Sequence, residues 1–349
     1  MKGFAFLAHS TAGWIEKEPP HATNYDAVIR PLIVSPCTSD VHNVEINCLA
    51  ANRILGHEGI GEIVELGAFV KDFKIGDQVA IPAVTPNWRT VASQRGISQH
   101  CNGLITGNTL SNSEDGLFSE FTLIRDADAN LAHLSPELSP FAAVMAGDMM
   151  NTGCYGAELA DVQLGDTVVV LGIGPVGLMA VAAAKLRGAA RIIAVGSRPH
   201  CIEIARFYGA TDVVNYKEGD PVRQVYDLTH HKGADCCICA GGDSNALGQA
   251  VSMIRWGGTV GNINYFTTSG TLPIPNVRWG FGMGNKTIRG GECPGGRARM
   301  EKMLALLLYH RIDPLPLITH SFSGFSEIET AFHLMAEKPA DLIKTIVVL

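Results

Sequence analysis

The second half of the chain alternates between short, continuous apolar runs and longer stretches with helical spacing. The short runs are rich in Val and Ile, which is typical of strands buried on both faces of a sheet. Pro199 and Pro221 stand where helices between them would begin. This alternation predicts an α/β fold with a doubly wound, six-stranded parallel sheet. The predicted strands are 167–171, 191–195, 212–216, 234–240, 258–264 and 286–290, and the predicted helices are 175–187, 199–208, 220–230 and 244–256.

Residues 1–150 follow a different pattern, with short strands and frequent turns. Helical spacing is sparse before about residue 135, so a compact β-rich domain is expected. After Gly291, an amphipathic helix at 299–309 and a terminal strand at 342–348 indicate that the chain returns to this first domain. The predicted early strands are 4–7, 27–34, 59–65 and 78–81, with a turn at 74–77.

A glycine-rich turn follows the first strand of the alternating region. Gly172, Gly174 and Gly177 form the pattern G-x-G-x-x-G. The first glycine permits a tight turn, the second lets the backbone approach a pyrophosphate, and the third lets the helix pack on the strand. The next helix would direct free N–H groups at the phosphates. This context predicts a dinucleotide site, with a turn that only allows close packing as the alternative.

The strand after this turn ends in Gly196-Ser197-Arg198, where an acidic residue commonly binds the ribose of NAD. A small residue leaves room for a 2′-phosphate, Ser197 can donate a hydrogen bond, and Arg198 supplies a positive charge. The sequence therefore predicts NADP rather than NAD. A solvated arginine at a helix cap is the alternative for Arg198. Tyr216, after the next strand, is expected to cover the adenine.

Composition narrows the class of protein. The chain has 349 residues, 46% of them hydrophobic, which is enough for two domains with large cores. Its net charge of −7, without a basic block, argues against nucleic-acid binding. No apolar run has the length of a membrane span and no signal peptide is evident, so no membrane association and a cytoplasmic location are expected. The C-x-x-C pair Cys236 and Cys239 is expected to be reduced and buried.

Candidate metal ligands occur in the β-rich part. Cys37 lies in Pro-Cys-Thr-Ser-Asp-Val-His, and His57 lies in Gly-His-Glu-Gly. A thiolate and an imidazole suit zinc, and a site with three protein ligands keeps a position open for substrate. For each residue alone, a buried cysteine or a capping histidine is the more common explanation.

These motifs in combination resemble the zinc-containing medium-chain alcohol dehydrogenases. More narrowly, the chain resembles the NADP-dependent secondary alcohol dehydrogenases of bacteria and anaerobic protists, nearly from end to end. The resemblance implies a GroES-like catalytic domain at 1–151 and 292–349 and an NADP-binding Rossmann domain at 152–291. The segments on which the resemblance rests are residues 13–17, 37–40, 56–58, 148–150, 156–159, 172–179, 196–198 and 293–297.

The resemblance also implies roles for individual residues. Cys37, His57 and Asp148 match the ligands of a catalytic zinc, and Glu58 matches a glutamate that ligates zinc or lies just behind it. Ser39 and His42 match a proton relay. The positions that match cofactor-binding residues are Thr152, Gly172, Gly174, Pro175, Val176, Gly177, Gly196, Ser197, Arg198 and Tyr216.

The implied reaction is reversible hydride transfer between a secondary alcohol or ketone and NADP(H), in a homotetramer. A zinc-free quinone or enone reductase of the same superfamily is one alternative, which the metal-ligand set disfavours. A catalytically inactive NADP-binding structural or regulatory protein is another, which the intact relay disfavours. Because residues 85–115 contain only Cys101, a four-cysteine structural zinc is impossible there, and one zinc per chain is expected.

The substrate pocket is where the chain departs from these relatives. Asn108 stands in a stretch where they usually carry a tryptophan, and a short amide would make the pocket larger and more polar. A bulkier ketone or alcohol is therefore expected. The other positions that match the pocket, each with core packing as the alternative, are Ala83, Val84, Tyr265, Met283 and Cys293.

Overall fold

The computed structural model describes residues 1–101, 110–266, 270–276 and 280–349. The chain forms two compact units, one of Met1–Asn151 with Cys293–Leu349 and one of Thr152–Glu292. Glu292 thus falls in the second unit, one residue away from the boundary expected from the sequence. No helix in the described ranges is both long enough and apolar enough to span a bilayer.

Strands in the described residues are numbered here in chain order. They are β1 (Lys2–Ala8), β2 (Thr11–Glu16), β3 (Ala27–Val34), β4 (Arg53–Ile54), β5 (Gly59–Leu66), β6 (Gln78–Ile81), β7 (Thr122–Ile124), β8 (Ala132–His133), β9 (Thr167–Leu171), β10 (Arg191–Val195), β11 (Asp212–Val214), β12 (Ala234–Cys239), β13 (Ile254–Asn262), β14 (Thr287–Gly290), β15 (Ile318–Ser323) and β16 (Lys344–Val348).

Helices of the same residues are numbered in the same way. They are α1 (Thr38–Glu45), α2 (Val91–Gln94), α3 (Ala127–Asn130), α4 (Pro140–Met145), α5 (Asn151–Leu159), α6 (Pro175–Leu186), α7 (Pro199–Tyr208), α8 (Pro221–Leu228), α9 (Ala246–Met253), α10 (Arg297–Leu308) and α11 (Glu327–Glu337).

The second unit contains a parallel sheet with the strand order β11-β10-β9-β12-β13-β14. This is the doubly wound dinucleotide-binding order, so the predicted fold is confirmed. The sheet is held by a core of β-branched residues, because strands covered by helices on both faces bury every side chain. Val168, Val169 and Val170 of β9 are fully buried.

Most of the predicted boundaries in this unit lie within two residues of those observed, and the largest error lies between α9 and β13. Strand β13 begins at Ile254 rather than at residue 258, and α9 ends at Met253 rather than at residue 256. No polar turn separates the helix from the strand. The ladder with β12 passes from Ala234 opposite Ile254 to Cys236 opposite Thr259, so the extra residues form a bulge. Gly257 accommodates this bulge with φ +72°.

The first unit is β-rich, as predicted. One sheet has the order β15-β16-β3-β5-β6-β8, with β7 also paired to β3, and a smaller sheet has the order β2-β1-β4. The terminal strand β16 lies antiparallel to β3, with Val347 opposite Val34, so the chain does return to this unit. Helix α11 packs Phe332 edge-on against Phe4 at 5.3 Å in the core.

Several short helices of this unit were not predicted from the sequence pattern. Helix α1 directly follows the segment after β3, and α4 runs through a π-helical turn, Ala146–Met150, into α5. The helical stretch at 140–150 is almost entirely buried, so it has no polar face that would reveal a helical period. Helix α1 carries Ser39 and His42 and is capped by Cys37, and the π-helical turn after α4 carries Asp148.

Candidate active site

Cys37 lies at the N-cap of α1, with extended backbone angles of φ −109° and ψ 154°. Its backbone N–H donates to Oδ2 of Asp40 at 3.0 Å, which fixes the first turn of the helix. Burial raises the pKa of the Cys37 thiol, although Lys344 opposes this effect. A buried thiolate here therefore needs a cation beside it, which a bound metal ion would supply.

His57 follows Gly56, whose φ is +90°. The ring of Phe118 occupies the place where a Cβ of residue 56 would lie, so the turn into β5 requires glycine. His57 Nδ1 lies 3.2 Å from Asp40 Oδ1. Because a carboxylate accepts hydrogen bonds, this contact places the imidazole proton on Nδ1 and leaves the Nε2 lone pair for a metal.

Asp40 is fully buried and holds several of these groups at once. Its Oδ1 also accepts from the backbone N–H of Gly56 at 3.2 Å. Burial alone would raise the pKa of Asp40, but the attraction of His57 and the hydrogen bonds from His57, Cys37 and Gly56 lower it. Asp40 therefore stays ionised and joins the two ligand-bearing segments.

Asp148 lies in the π-helical turn at Ala146–Met150. Such turns insert a residue into a helix and occur frequently at functional sites. A Cβ on Gly147 would lie 2.8 Å from the carbonyl oxygen of Ile81, so glycine lets the turn approach the end of β6 closely. This approach carries Asp148 to the cysteine and the histidine.

The side chains of Cys37, His57, Glu58 and Asp148 converge, with one ligand atom from each lying within 4.8 Å of the others. Asp148 Oδ2 is 3.7 Å from Cys37 Sγ and 3.4 Å from His57 Nε2. Ligand distances of about 2.0–2.3 Å around tetrahedral zinc give edges of about 3.4–3.8 Å. The donor set and its spacing therefore fit zinc. Within the described residues, this is the one such cluster that could hold a metal ion.

Glu58 is bound on one side by a buried lysine that the sequence reasoning missed. Lys344 Nζ lies 2.6 Å from Glu58 Oε1, and both side chains are fully buried. Glu58 Oε2 has no hydrogen-bond partner. Burial raises the pKa of Glu58 to about 7 even though Lys344 lowers it. The sequence signal for this residue was available, because a lysine inside an apolar terminal strand is unusual.

The two predicted relay residues lie on successive turns of α1. Ser39 Oγ is 3.4 Å from His57 Nε2, the nitrogen that faces the cluster. His42 is three residues further on, so both side chains share one side of the helix. Burial, followed by the positive charge of Lys338, lowers the pKa of His42. His42 is therefore neutral near pH 7 and able to accept a proton.

The three glycines of the turn in the second unit differ in the space around their Cα atoms. Gly172 has φ +89°, and a Cβ there would lie 2.7 Å from Gly241. A Cβ on Gly177 would overlap the carbonyl oxygen of Gly172. At Gly174, by contrast, nothing lies within 4 Å of an added Cβ. Gly174 is the N-cap residue of α6. Because it has no side chain, the backbone before Pro175 and Val176 remains uncovered.

The segment after β10 contains the residues predicted to bind the 2′-phosphate of NADP. Ser197 Oγ is buried and has no hydrogen-bond partner. Arg198 forms the N-cap of α7, and Tyr216, 53% exposed, follows β11. A phosphate would supply the acceptor that Ser197 lacks. Gly196 has a packing role of its own, because a Cβ there would overlap Ile173.

The predicted pocket residues divide between the units. In the first unit, Ala83, Val84 and Cys293 are buried, and the backbone N–H of Ala83 donates to the carbonyl of Gly147, next to Asp148, at 3.3 Å. In the second unit, Tyr265 and Met283 are exposed, and Thr152, which was predicted to bind the cofactor, is half-buried. Asn108 lies outside the described residues.

Two models of known protein families match this chain. Residues 22–136 match the model of the alcohol dehydrogenase GroES-like domain, and residues 175–308 match that of the zinc-binding dehydrogenases. The chain belongs to the zinc-binding alcohol dehydrogenase family, which confirms the resemblance inferred from the motifs.

Close relatives cover the whole chain. It is 56% identical to an NADP-dependent isopropanol dehydrogenase of Thermoanaerobacter brockii over 100% of both chains. It is 50% identical to one of Entamoeba histolytica, over 99% of this chain and 95% of the relative. Among solved structures, zinc-dependent alcohol dehydrogenase 2 of Streptococcus pneumonia, in its apo form, matches with a TM-score of 0.89 at 28% identity, over 100% of this chain and 98% of that one.

Proposed function

We propose that this protein is an NADP-dependent secondary alcohol dehydrogenase, which also works in reverse as a ketone reductase. The observation that carries the proposal is the buried cluster of Cys37, His57 and Asp148, with spacings that suit zinc. The isopropanol dehydrogenase names of relatives with 50–56% identity support the substrate class and the cofactor.

Cys37, His57 and Asp148 would hold the metal, with Glu58 behind them. When bound, zinc acts as a Lewis acid on the alcohol or carbonyl oxygen. By accepting the hydrogen bond of Nδ1, Asp40 orients the His57 ring with Nε2 toward the metal position and makes that nitrogen a more basic ligand. The near-complete burial of these groups keeps water away and strengthens the electrostatic attraction between them.

Ser39 and His42 would carry the proton of the alcohol. The Ser39 hydroxyl lies beside the metal-facing nitrogen of His57, so it can accept the proton from the substrate and donate its own. His42, held neutral by burial and by Lys338, is the acceptor at the far end of this path. In ketone reduction the same residues return the proton.

The glycine turn and the Ser197–Arg198 segment would hold the cofactor. The open face at Gly174 and the free N–H groups of the first turn of α6 suit a pyrophosphate. The unpaired Ser197 hydroxyl and Arg198 suit the 2′-phosphate of NADP. When bound, NADP(H) supplies the hydride chemistry.

The remaining expectations from the family resemblance are part of the same proposal. They are one catalytic zinc and no structural zinc per chain, a homotetramer, and a cytoplasmic location. Asn108 in place of an indole supports a larger and more polar substrate pocket. Sedimentation analysis and elemental analysis test the assembly and the metal count.

The proposal is tested by following NADPH oxidation with a graded series of ketones, from acetone to branched and aryl ketones, with and without a zinc chelator. We expect turnover that the chelator abolishes, with bulkier ketones accepted. Turnover of quinones or enones that survives the chelator would favour a zinc-free reductase. NADPH binding without any turnover would favour the inactive binding protein.

A further inference from the structure

Lys344 of the first unit is a lysine without any solvent-exposed surface. It begins β16, and it pairs with Ile318 of β15 in the sheet. Its ammonium donates to the carbonyl oxygen of Pro36 at 2.9 Å and to Glu58 Oε1 at 2.6 Å. Pro36 precedes Cys37, and Glu58 follows His57, so one side chain touches both ligand-bearing segments.

A buried ammonium needs an explanation, because removing a charge from water is unfavourable unless other groups compensate it. A hydrophobic residue would hold β16 in the sheet at lower cost. The carbonyl oxygen of Pro36 and the carboxylate of Glu58 both accept hydrogen bonds from Nζ, which is the environment that a charged ammonium requires. The position of the charge therefore matters more than the packing.

Glu58 lies farther from His57 than Asp148 does. Its Oε1 lies 4.0 Å from His57 Nε2, whereas Asp148 Oδ2 lies 3.4 Å from the same atom. The contact with Lys344 holds Oε1, and Oε2 remains without a partner. Without the ammonium, the Glu58 carboxylate would be a buried anion whose nearest compensation is the metal.

We propose that Lys344 is a positioning residue that restrains Glu58, so that Glu58 does not permanently take the fourth coordination position of the metal. That position is then left to the substrate oxygen. The inference rests on the proposed function, because it assumes that the cluster holds a catalytic metal.

The charges agree with this role. Cys37, Asp148 and Glu58 would bring three negative charges to a divalent ion, and Lys344 restores neutrality among these groups. If Lys344 is replaced by methionine, the similar length keeps the packing while the positive charge is lost. Glu58 then gains by moving onto the metal.

Cobalt(II) provides a direct readout, since its visible absorption bands shift when a carboxylate replaces water or a substrate oxygen as the fourth ligand. We would load Co²⁺ into the wild type, Lys344→Met, Lys344→Arg and the double variant Lys344→Met/Glu58→Gln, and record spectra with and without a secondary alcohol, together with its KM and kcat. Arg30→Met is the matched control, because it removes a 2.9 Å ion pair with Glu62 in the same sheet but outside the cluster.

For Lys344→Met we expect shifted cobalt bands that no longer respond to added secondary alcohol, and a kcat/KM reduced about 10- to 100-fold, the usual range for residues behind metal ligands. Lys344→Arg should retain most of the wild-type spectral response and activity. The double variant should regain the wild-type spectrum, since the competing carboxylate is gone. Arg30→Met should match the wild type.

An unchanged spectrum in a folded Lys344→Met protein would overturn the inference, and so would a spectral change that Glu58→Gln does not reverse. If Lys344→Met does not fold, the double variant still decides, because it lacks the uncompensated carboxylate. A wild type that binds no cobalt would instead count against the proposed function.

Discussion

The metal-ligand cluster of the first unit and the glycine turn of the second are built from different parts of the polypeptide. The cluster uses side chains that are far apart in sequence, buried, and held by one another and by Asp40 and Lys344. The turn uses backbone from one continuous stretch, and its side chains matter mainly through their absence. Cys37 of the cluster caps α1, and the glycine turn leads into α6.

This difference predicts how each region responds to change. In the cluster, a lost side chain leaves another buried group without its partner, so the effects of substitutions should be large and coupled. In the turn, an added methyl group should matter only where the space is already filled or where the ligand must approach. Substitutions in the two regions therefore test this difference.

The largest effect is expected for Cys37→Ala or His57→Ala. Each removes a metal ligand, so we expect loss of bound zinc and of essentially all turnover. Activity assays and elemental analysis would measure both. His133→Ala, which changes a surface histidine of the same unit, is the control and should keep its metal. Full activity in either ligand variant would disprove the assignment.

Gly177→Ala and Gly174→Ala form a matched pair within the turn. The Gly177 variant overlaps the carbonyl of Gly172, so we expect a loss of stability of about 1–3 kcal/mol together with weaker cofactor binding. The Gly174 variant meets no protein atom within 4 Å, so its Tm should not fall, while NADPH affinity should. Thermal denaturation and NADPH titration separate these outcomes. Equal losses of stability in the two variants would contradict the account.

Asp40→Asn should have the next largest effect. The variant keeps the shape but loses the charge that holds His57, so zinc affinity or kcat/KM should fall by about 10- to 100-fold. Competition with a metal chelator would measure the affinity, and steady-state kinetics the activity. Wild-type values for both would mean that Asp40 serves only to cap α1.

The smallest of these effects is expected for Ser197→Ala. Loss of one hydrogen bond to a charged phosphate costs about 1.5 kcal/mol, or about tenfold in NADPH affinity. NADH, which lacks the 2′-phosphate, serves as the control ligand and should bind the variant and the wild type alike. A parallel loss for both cofactors would place Ser197 elsewhere in the site.

The same contrast explains what the sequence could predict. The parallel sheet and the glycine turn depend on local patterns, and the ranges of β9, β10 and α7 were predicted without error. The cluster depends on chain segments that meet only in the fold, so its membership came from family resemblance rather than from spacing. The ion pair between Glu58 and Lys344, 286 residues apart, has no local pattern at all.

Two other features were beyond a single sequence for physical reasons. The π-helical turn that carries Asp148 is buried on all sides and has no amphipathic period. The bulge in β13 follows a helix without any polar turn between them. In both places tertiary packing, rather than local preference, decides the backbone path.

In the proposed function, one buried zinc in the cluster of Cys37, His57 and Asp148 enables the reaction of an NADP-dependent alcohol dehydrogenase. The most direct test removes the metal by dialysis against a chelator and titrates Zn²⁺ back while NADPH oxidation with a ketone is measured. The account predicts that activity disappears and then rises linearly to full recovery at one zinc per chain. Activity that persists in the zinc-free protein, or recovery that requires two zinc ions per chain, would contradict it.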